Sequence, residues 1–323
     1  MGIKIFADAA SNLFREIRQE KGLDIKVMNM HLMLGDKEFN CYDDEFNIEE
    51  FATNYYKSIG EGVQARTSLV PPLQYEEAFE EEIKKGNKVI CFTMAKGISG
   101  TYNSACIARD EINERYGEEM VYVVDSVNAG LGEGMQAIHA AELVKEGKDF
   151  EFIKNEAEAF KMRIRSEFTV DDIRYLLKTG RVSKFLSKFA NLLKIKIMLK
   201  NGEDSKIAFA GSVIGRKSAI KKLAKLVDEK IDRSIDQTVY LTHCACPEDA
   251  NKVKELLNEC GITKIETYQY DFISGAHIGP NSLAVFYLMK QEEKKSILER
   301  IKSKIRREGK DEPEEIEGTY EEK

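Results

Sequence analysis

The sequence lacks three features that would assign the protein to a broad class. Basic residues are not in excess, because 49 lysines and arginines stand against 56 acidic residues, a formal net charge of −7. No basic stripe interleaved with aromatic residues occurs, so the footprint of a nucleic-acid-binding protein is absent. No apolar run approaches the roughly 20 residues of a spanning helix, and no signal peptide is recognisable. We therefore expect a soluble cytoplasmic protein that binds no nucleic acid and spans no membrane.

Cofactor and metal motifs are also missing. The six cysteines have spacings that suggest no disulfide framework, which fits a reducing cytoplasm. Residues 243–246 read His-Cys-Ala-Cys, but no second Cys/His cluster supplies the remaining metal ligands. Glycines 130, 132 and 134 do not fit the dinucleotide fingerprint, and no phosphate-binding G-x-x-x-x-G-K-[ST] loop is present. We expect no metal and no cofactor.

Only four histidines are available for catalysis or ligand binding. His31 lies in a predicted strand and His139 in a predicted helix, where structural roles are expected. His243 begins a loop, and its role stays open. His277 stands in residues 274–281, a glycine-punctuated turn predicted between two strands, which is the kind of rigid loop that presents one side chain. A histidine that bonds its own turn is the open alternative.

The order of strands, loops and helices predicts the fold class. Over residues 1–150 the pattern strand, loop, helix repeats, which indicates a doubly wound, mostly parallel α/β domain. Residues 151–290 predict an α+β domain. Residues 291–323 form a charged tail that is predicted to be largely disordered. Ligand chemistry is expected outside four successive strand ends, at Asp8, residues 67–68, residues 96–101 and residues 125–126.

Residues 88–104 are central to this prediction. An apolar strand leads through a loop of small residues into a helix opened by Ser99-Gly100-Thr101. The unpaired N–H groups of such a helix start can bind an anion. Ser99, and likewise Thr67 and Ser68, could also be ordinary helix caps. Hydroxyl groups at neighbouring strand ends would face one crevice, however, and this favours a shared anion site.

Several motifs together resemble the DegV family, in the family's order and over about residues 3 to 290. The motifs are Thr67-Ser68 followed by prolines, residues 97–105 (GISGTYNSA), Asp125-Ser126 with Gly132 and Gly134, residues 172–183 (DIRYLLKTGRVS) and residues 277–280 (HIGP).

The resemblance implies a two-domain bacterial protein that binds one long-chain fatty acid, such as palmitate, between its domains. It further implies a non-catalytic subunit that presents the carboxyl group to a fatty acid kinase. By this similarity Thr67, Ser68, Ser99, Gly100 and His277 would hold the carboxylate. Asp8, Asp125 and Ser126 would support them, and the surface around Arg181 and Arg216 would contact the partner. A slot lined by Leu, Ile, Phe and Met would hold the acyl chain.

The chain departs from the family pattern mainly at the head-group end. Where the family usually carries two serines, this chain has Ala95 and Lys96. An arginine that is common in the family corresponds to Ile214, and Arg216 follows two residues later. We hypothesise that the lipid slot is retained, whereas the particular ligand or the competence to hand it to a kinase has shifted. The Lys96 ammonium could form an ion pair with the carboxylate, or the head group could bind differently.

Two other classes of function remain as alternatives. One is a divergent lipid sensor or regulatory protein whose bound lipid is structural. The other is an enzyme of acyl or phosphoryl transfer that uses Ser99 or His277. No acidic residue is visibly placed to orient His277, and no nucleotide or metal motif exists, so the non-enzymatic carrier is the leading interpretation.

Overall fold

The structure is a computed structural model that describes residues 2–42, 46–192 and 194–290. Residues 1–289 form one compact unit, so the predicted domain boundary at residue 150 stays a prediction. The predicted disordered tail, residues 291–323, lies outside the described residues. In the part that the structure describes, no helix has the length and apolar composition needed to cross a membrane.

The described residues form strands and helices with the following bounds. The strands are β1 (Gly2–Asp8), β2 (Ile25–Met28), β3 (Leu32–Leu34), β4 (Lys37–Phe39), β5 (Ala65–Thr67), β6 (Asn87–Thr93), β7 (Val121–Asp125), β8 (Ile164–Val170), β9 (Ile195–Asn201), β10 (Ile207–Ile214), β11 (Val239–His243), β12 (Ile265–Gln269) and β13 (Leu283–Leu288). The α-helices are α1 (Arg15–Glu20), α2 (Ile48–Gly60), α3 (Pro72–Lys84), α4 (Thr101–Tyr116), α5 (Leu131–Lys145), α6 (Phe150–Phe160), α7 (Arg174–Thr179), α8 (Arg216–Lys230), α9 (Pro247–Glu259) and α10 (Phe272–Ile278), and the 3-10 helices are Ala9–Ser11 and Lys184–Phe189.

The first sheet is entirely parallel and has the strand order β2-β1-β6-β7. Parallel strands covered on both faces are near-continuous apolar runs, and residues 89–93 of β6 are accordingly all buried. Parallel pairing brings the carboxyl ends of β1, β6 and β7 to one edge. The loops that begin at Asp8, Met94 and Asp125 therefore lie side by side, as predicted. We refer to this sheet with its helices, residues 2–160, as the first lobe.

Thr67 and Ser68 do not follow a strand of that sheet, so the prediction of four successive strand ends is wrong at this position. β5 instead pairs antiparallel with β3 in a small sheet of order β4-β3-β5. The turn residues Gly35-Asp36 predict a hairpin, and β3 and β4 form it around Gly35, whose φ of 59° favours glycine. The Ser68 N–H donates to the His31 carbonyl at 3.1 Å. The sequence predicts His31 in a strand, and this prediction is wrong, because His31 lies in the connection between β2 and β3.

The second sheet has six strands in the order β10-β9-β8-β13-β11-β12. β11 and β12 pair parallel, and the other neighbours pair antiparallel. The sequence predicts a last strand over residues 283–288, and these are the bounds of β13. It also predicts a hairpin with its turn at Asn201-Gly202, which β9 and β10 form. Helices α8 and α9 pack on one face of this sheet, and the other face is turned toward the first lobe. The parallel sheet followed by a mixed sheet confirms the predicted fold class. We refer to residues 164–290 as the second lobe.

Two segments differ from their predicted conformation. His277 lies in the last turn of α10 and not in a loop between two strands. Gly275, which suggested a turn, is required for close packing instead, because a Cβ atom there would overlap the Tyr56 hydroxyl. The helix predicted over residues 184–194 is a 3-10 helix, Lys184–Phe189.

The helix α10 belongs to the second lobe but is anchored on the first. The Asn12 side chain donates to the Gln269 carbonyl at 3.0 Å and accepts from the Asp271 N–H at 2.6 Å. The Tyr55 hydroxyl donates to the Phe272 carbonyl at 3.1 Å. The Asp271 carboxylate caps the helix by accepting from the Ser274 N–H at 2.6 Å. These bonds fix the start of α10 against the first lobe and set the position of the side chains that follow.

Candidate functional site

A cavity of about 630 Å³ lies between the loops of the first lobe and the inner face of the second sheet. This volume is within the usual range for small-molecule sites. Its wall is largely apolar and combines side chains of both lobes. The apolar lining includes Met30, Met94, Ile98, Phe168, Leu176 and Phe286.

Thr67 and His277 meet in the wall of the cavity, and we call this region its polar end. The Thr67 Oγ1 and His277 Nε2 atoms are joined by a hydrogen bond of 2.9 Å, and Ser68 lines the wall beside them. Burial, and to a smaller extent the charge of Arg181, lowers the pKa of His277 to about 4, so the imidazole is neutral at pH 7. Its Nδ1 atom has no hydrogen-bond partner among the described residues. This end of the cavity therefore presents polar groups that can bind a ligand.

The start of α4 lies next to this pair. Ser99 and Gly100 line the cavity, and Gly100 is the N-cap residue of the helix. The Ser99 hydroxyl accepts from the Thr101 N–H at 3.3 Å, so its alternative role as a cap is also present. The residue that precedes α3 is Pro71, and therefore Thr67 and Ser68 do not cap that helix. Their hydroxyl groups remain available to the cavity.

Arg181 contributes a positive charge to the cavity wall. Gly180 ends α7 with a φ of 72°, in the region that favours glycine. The guanidinium of Arg181 then donates to the Ile98 carbonyl at 3.3 Å and to the Thr179 carbonyl at 2.7 Å. No acidic side chain within the described parts of the chain pairs with it. Arg181 therefore places beside the polar end a positive charge that no acidic side chain of the described residues neutralises. Its predicted role in contact with a partner protein stays a prediction.

Lys96 also lines the cavity, but its ammonium already has a partner. Nζ lies 3.6 Å from Asp125 Oδ2 and 5.7 Å from the centre of the Tyr102 ring, and 59% of the side chain is exposed. Asp125 in addition accepts from the Ser205 hydroxyl at 2.7 Å, which ties the first lobe to the loop between β9 and β10. The predicted contact between Lys96 and a bound carboxylate stays a prediction.

Asp8, Asp125 and Ser126 hold the loops of the first lobe from behind the wall. Asp8 accepts from the Met94 N–H at 2.9 Å, and burial raises the pKa of its carboxyl group to about 6. Asp125 accepts from the Lys96 N–H at 3.2 Å. The Ser126 hydroxyl donates to the Asn128 carbonyl at 3.0 Å. These bonds fix the shape of the cavity without placing the three side chains in its lining.

Arg216 lies apart from the cavity lining. It begins α8 and pairs with Asp249 at 2.8 Å. This position does not test the predicted role of Arg216 in contact with a partner protein, which stays a prediction.

The sequence motifs missed the part of the wall that the second sheet provides. Ser166 and Phe168 lie on one face of β8, and Tyr270 and Phe286 lie beside them. The signal was the period-two alternation of strand residues, which places positions 166 and 168 on the same face. Which face meets the first lobe depends on the packing of the two sheets, and the strand pattern does not encode it.

The comparison with known proteins identifies the family. The model of the DegV family, described as uncharacterised protein, DegV family, matches residues 2–290. A DegV domain-containing protein of Clostridium perfringens is 32% identical over 285 residues, which cover 88% of this chain and 96% of the relative.

Solved structures show the same fold. The crystal structure of DegV from Bacillus subtilis, described as a fatty acid binding protein, is 25% identical with a TM-score of 0.74 and covers 90% of this chain and 100% of its own. A DegV family protein of Eubacterium eligens, loaded with heptadecanoic acid, is 22% identical with a TM-score of 0.74 and the same coverage. At that identity the likeness shows the fold alone. The chain belongs to the DegV family.

Proposed function

We propose that the protein binds one long-chain fatty acid in the cavity and acts as a carrier rather than as an enzyme. The observation that carries this proposal is a largely apolar cavity of about 630 Å³ with a polar end, where Thr67 and His277 meet. A fatty acid has the same asymmetry, since one end is charged and the rest is apolar. The carboxylate would lie at the polar end and the acyl chain along the second sheet.

The polar end meets the chemical requirements of a buried carboxylate. A buried charge is costly unless several hydrogen bonds or a countercharge compensate for it. The hydroxyl groups of Ser68 and Ser99 and the backbone at Gly100 supply donors. Thr67 and the neutral His277 together supply one more, because the bond between them uses the other hydrogen of the pair. Arg181 supplies the countercharge, and hydrogen bonds to charged groups are the stronger ones.

The acyl chain supplies most of the binding free energy. About 15 methylenes at ~0.8 kcal/mol each give roughly 12 kcal/mol before the losses of immobilisation. Flexible methionine side chains such as Met30 and Met94 adapt to ligands of different shape. No cofactor is required for binding of this kind.

Relatives support the ligand class. The Bacillus subtilis protein is described as a fatty acid binding protein, and the Eubacterium eligens protein was loaded with heptadecanoic acid. By the family resemblance, the carrier would present the carboxyl group to a separate fatty acid kinase subunit. The surface around the cavity mouth would then be the site of that contact.

The enzyme alternative receives less support from the geometry. A catalytic histidine is ordinarily oriented by an acidic group through its second nitrogen. His277 Nδ1 has no such partner among the described residues, and its Nε2 faces a threonine hydroxyl. A divergent lipid sensor would use the same cavity, and only the transfer step distinguishes it from a carrier.

Native mass spectrometry of the purified full chain tests the ligand class. A co-purifying mass of a C14 to C20 fatty acid supports the proposal, and a nucleotide or an empty protein that fails to bind added palmitate contradicts it. The lipid-loaded chain is then mixed with a bacterial fatty acid kinase subunit and ATP. Formation of acyl phosphate supports the carrier, whereas binding without phosphorylation supports the sensor.

A further inference from the structure

The cavity has a second polar region on the face of the six-stranded sheet. Ser166 of β8 lies directly opposite Phe286 of β13, and its N–H donates to the Asn201 side chain at 3.0 Å. These three residues form one row across three neighbouring strands, and all of them line the cavity. The next row in the direction of α7 is apolar and consists of Leu199, Phe168 and Ala284. Of this second row only Phe168 lines the cavity, so the polar side chains of Ser166 and Asn201 lie beside an apolar part of the wall.

The row lies well away from the proposed carboxylate end. Helix α10 connects the two regions, because His277 stands in its last turn and Tyr270 stands just before its start. The two residues are seven positions apart. Five of these steps are helical and two are not, so their Cα atoms are at most about 15 Å apart. The Tyr270 ring packs near Phe286 of the row, with ring centroids 6.3 Å apart. An acyl chain held at His277 would therefore reach the row near its middle.

The Tyr270 hydroxyl lines the cavity without a partner. The residue is only 7% exposed, and its hydroxyl forms no hydrogen bond with any residue that the structure describes. Gly130 makes room for it, since a Cβ atom there would lie 2.8 Å from the hydroxyl oxygen. The hydroxyl therefore faces the cavity, where it is free to bond a ligand.

The neighbours of Tyr270 keep unused hydrogen-bonding capacity. The Ser166 hydroxyl donates to the Asn128 side chain at 3.1 Å, so its lone pairs remain free to accept. The Asn201 amide donates one hydrogen to the Ile164 carbonyl at 3.2 Å and retains the other. This part of the cavity thus offers two donors, the Tyr270 hydroxyl and the second Asn201 amide hydrogen, and one acceptor, the Ser166 hydroxyl oxygen.

A hydroxyl group on the acyl chain fits this arrangement best. It accepts from Tyr270 or Asn201 and donates to Ser166 at the same time. A ketone only accepts and would leave Ser166 without a donor. A second carboxylate would be buried beside Phe286 with no cation in the row, which is costly. A plain methylene leaves every one of these groups unpaired.

We infer that this cavity selects long-chain fatty acids that carry a hydroxyl group near the middle of the chain. The Tyr270 hydroxyl and the row of Ser166 and Asn201 form the subsite that recognises it. The inference rests on the proposed function, because it assumes that the carboxylate lies at the His277 end. It adds a substrate class that the family resemblance does not provide.

The test compares two ligands of equal chain length on the delipidated full chain. Calorimetric titration with octadecanoic acid and with 10-hydroxyoctadecanoic acid gives the ratio of their affinities. We expect the hydroxylated acid to bind about tenfold tighter, as one extra buried hydrogen bond would give. In Y270F the ratio falls below that of the unmodified chain, because one of the two donors is lost. The control Y122F removes a half-buried hydroxyl outside the cavity, which contacts Glu158, and keeps the ratio of the unmodified protein.

Comparing ratios between proteins removes the different behaviour of the two acids in water, because that behaviour is the same in every titration. Equal ratios in the unmodified chain and in Y270F overturn the inference and indicate that water fills the row. S166A provides a second variant that should also lower the ratio. If neither acid binds the unmodified chain, the proposed function fails together with the inference. If both bind and the ratios do not change, only the inference fails.

Discussion

The two lobes contribute different chemistry to the same cavity. The first lobe provides uncharged groups on loops, namely Thr67, Ser68 and the start of α4. The second lobe provides the cation Arg181, the histidine of α10 and the flat face of a sheet. Neither set alone would suit a fatty acid, because one lacks the countercharge and the other lacks most of the hydroxyl donors. The site therefore depends on the contact between the lobes as much as on either set of residues.

The largest effect is expected from the charge that the second lobe supplies. Replacing Arg181 by Gln removes the cation but keeps a hydrogen-bonding side chain of similar length. A hydrogen bond to a charged group contributes about 1.5–3 kcal/mol, so palmitate affinity should fall about ten- to a hundredfold. Calorimetric titration measures this loss. The control K178Q removes the same charge from the exposed side of α7 and should leave the affinity unchanged. Equal affinities of R181Q and K178Q would place the carboxylate elsewhere.

The contact between the lobes can be broken at Gly97. A Cβ atom at this position would overlap the Ser205 carbonyl oxygen in the loop between β9 and β10. We expect G97A to lower the free energy of unfolding by about 1–3 kcal/mol, the usual cost of overpacking. The control G60A introduces the same methyl group where no heavy atom lies within 4 Å. Urea unfolding of both variants provides the measurement. A G97A protein as stable as G60A would show that the two loops separate without cost.

Local patterns in the sequence predicted the elements well but not their partners. The apolar run of β6, the caps and the hairpin turns are local features, and β13 has the bounds predicted from them. The place of β5 in a separate sheet depends on its pairing with β3, which is remote in sequence. The helix α10 looked like a turn because of its glycines. Gly275 in fact admits Tyr56, and Asn12 holds the helix start across 259 positions of the chain.

The candidate site was predicted only in part, because its residues too are brought together by packing between segments that are remote in sequence. Thr67 and His277 were both named from sequence motifs, and the structure brings them within hydrogen-bond distance. For Arg181 the sequence predicts a partner contact, which stays a prediction, and it did not indicate that the side chain also lies in the cavity wall. The row that contains Ser166 was missed entirely. A strand shows which residues share a face, but only the packed structure shows what that face meets.

The pH dependence of stability distinguishes His277 from the uncharged groups of the first lobe. Its pKa in the folded chain is about 4, below the ordinary value of 6.5. The unfolded chain therefore binds a proton first as the pH falls, and stability that is present above pH 6.5 is lost toward pH 4. We expect H277Q to lose up to about 3 kcal/mol less than the unmodified chain over this window. Urea unfolding of the ligand-free proteins at several pH values measures the difference, and identical profiles would mean that His277 is freely protonated.

The contribution of the first lobe is expected to be smaller per residue. T67V keeps the shape of the side chain but removes the hydroxyl that bonds His277. Loss of one uncharged hydrogen bond costs about 1 kcal/mol, so palmitate affinity should fall about fivefold. T53V serves as the control, because the Thr53 hydroxyl bonds the Glu49 carbonyl on the exposed surface of α2. A T67V affinity equal to that of T53V would remove Thr67 from the head-group site.

The smallest effect is expected at Lys96, where the first lobe carries a charge of its own. Its ammonium lies at the rim, 3.6 Å from Asp125, and 59% of the side chain is exposed. Exposed ion pairs contribute about 0–1 kcal/mol and weaken with salt. We therefore expect K96S to change palmitate affinity less than about threefold, since Asp125 keeps its bonds to Ser205 and to the backbone. Titrations at low and high salt measure this. A tenfold, salt-sensitive loss would instead show that Lys96 leaves Asp125 for the carboxylate, and that both lobes supply a cation to the bound ligand.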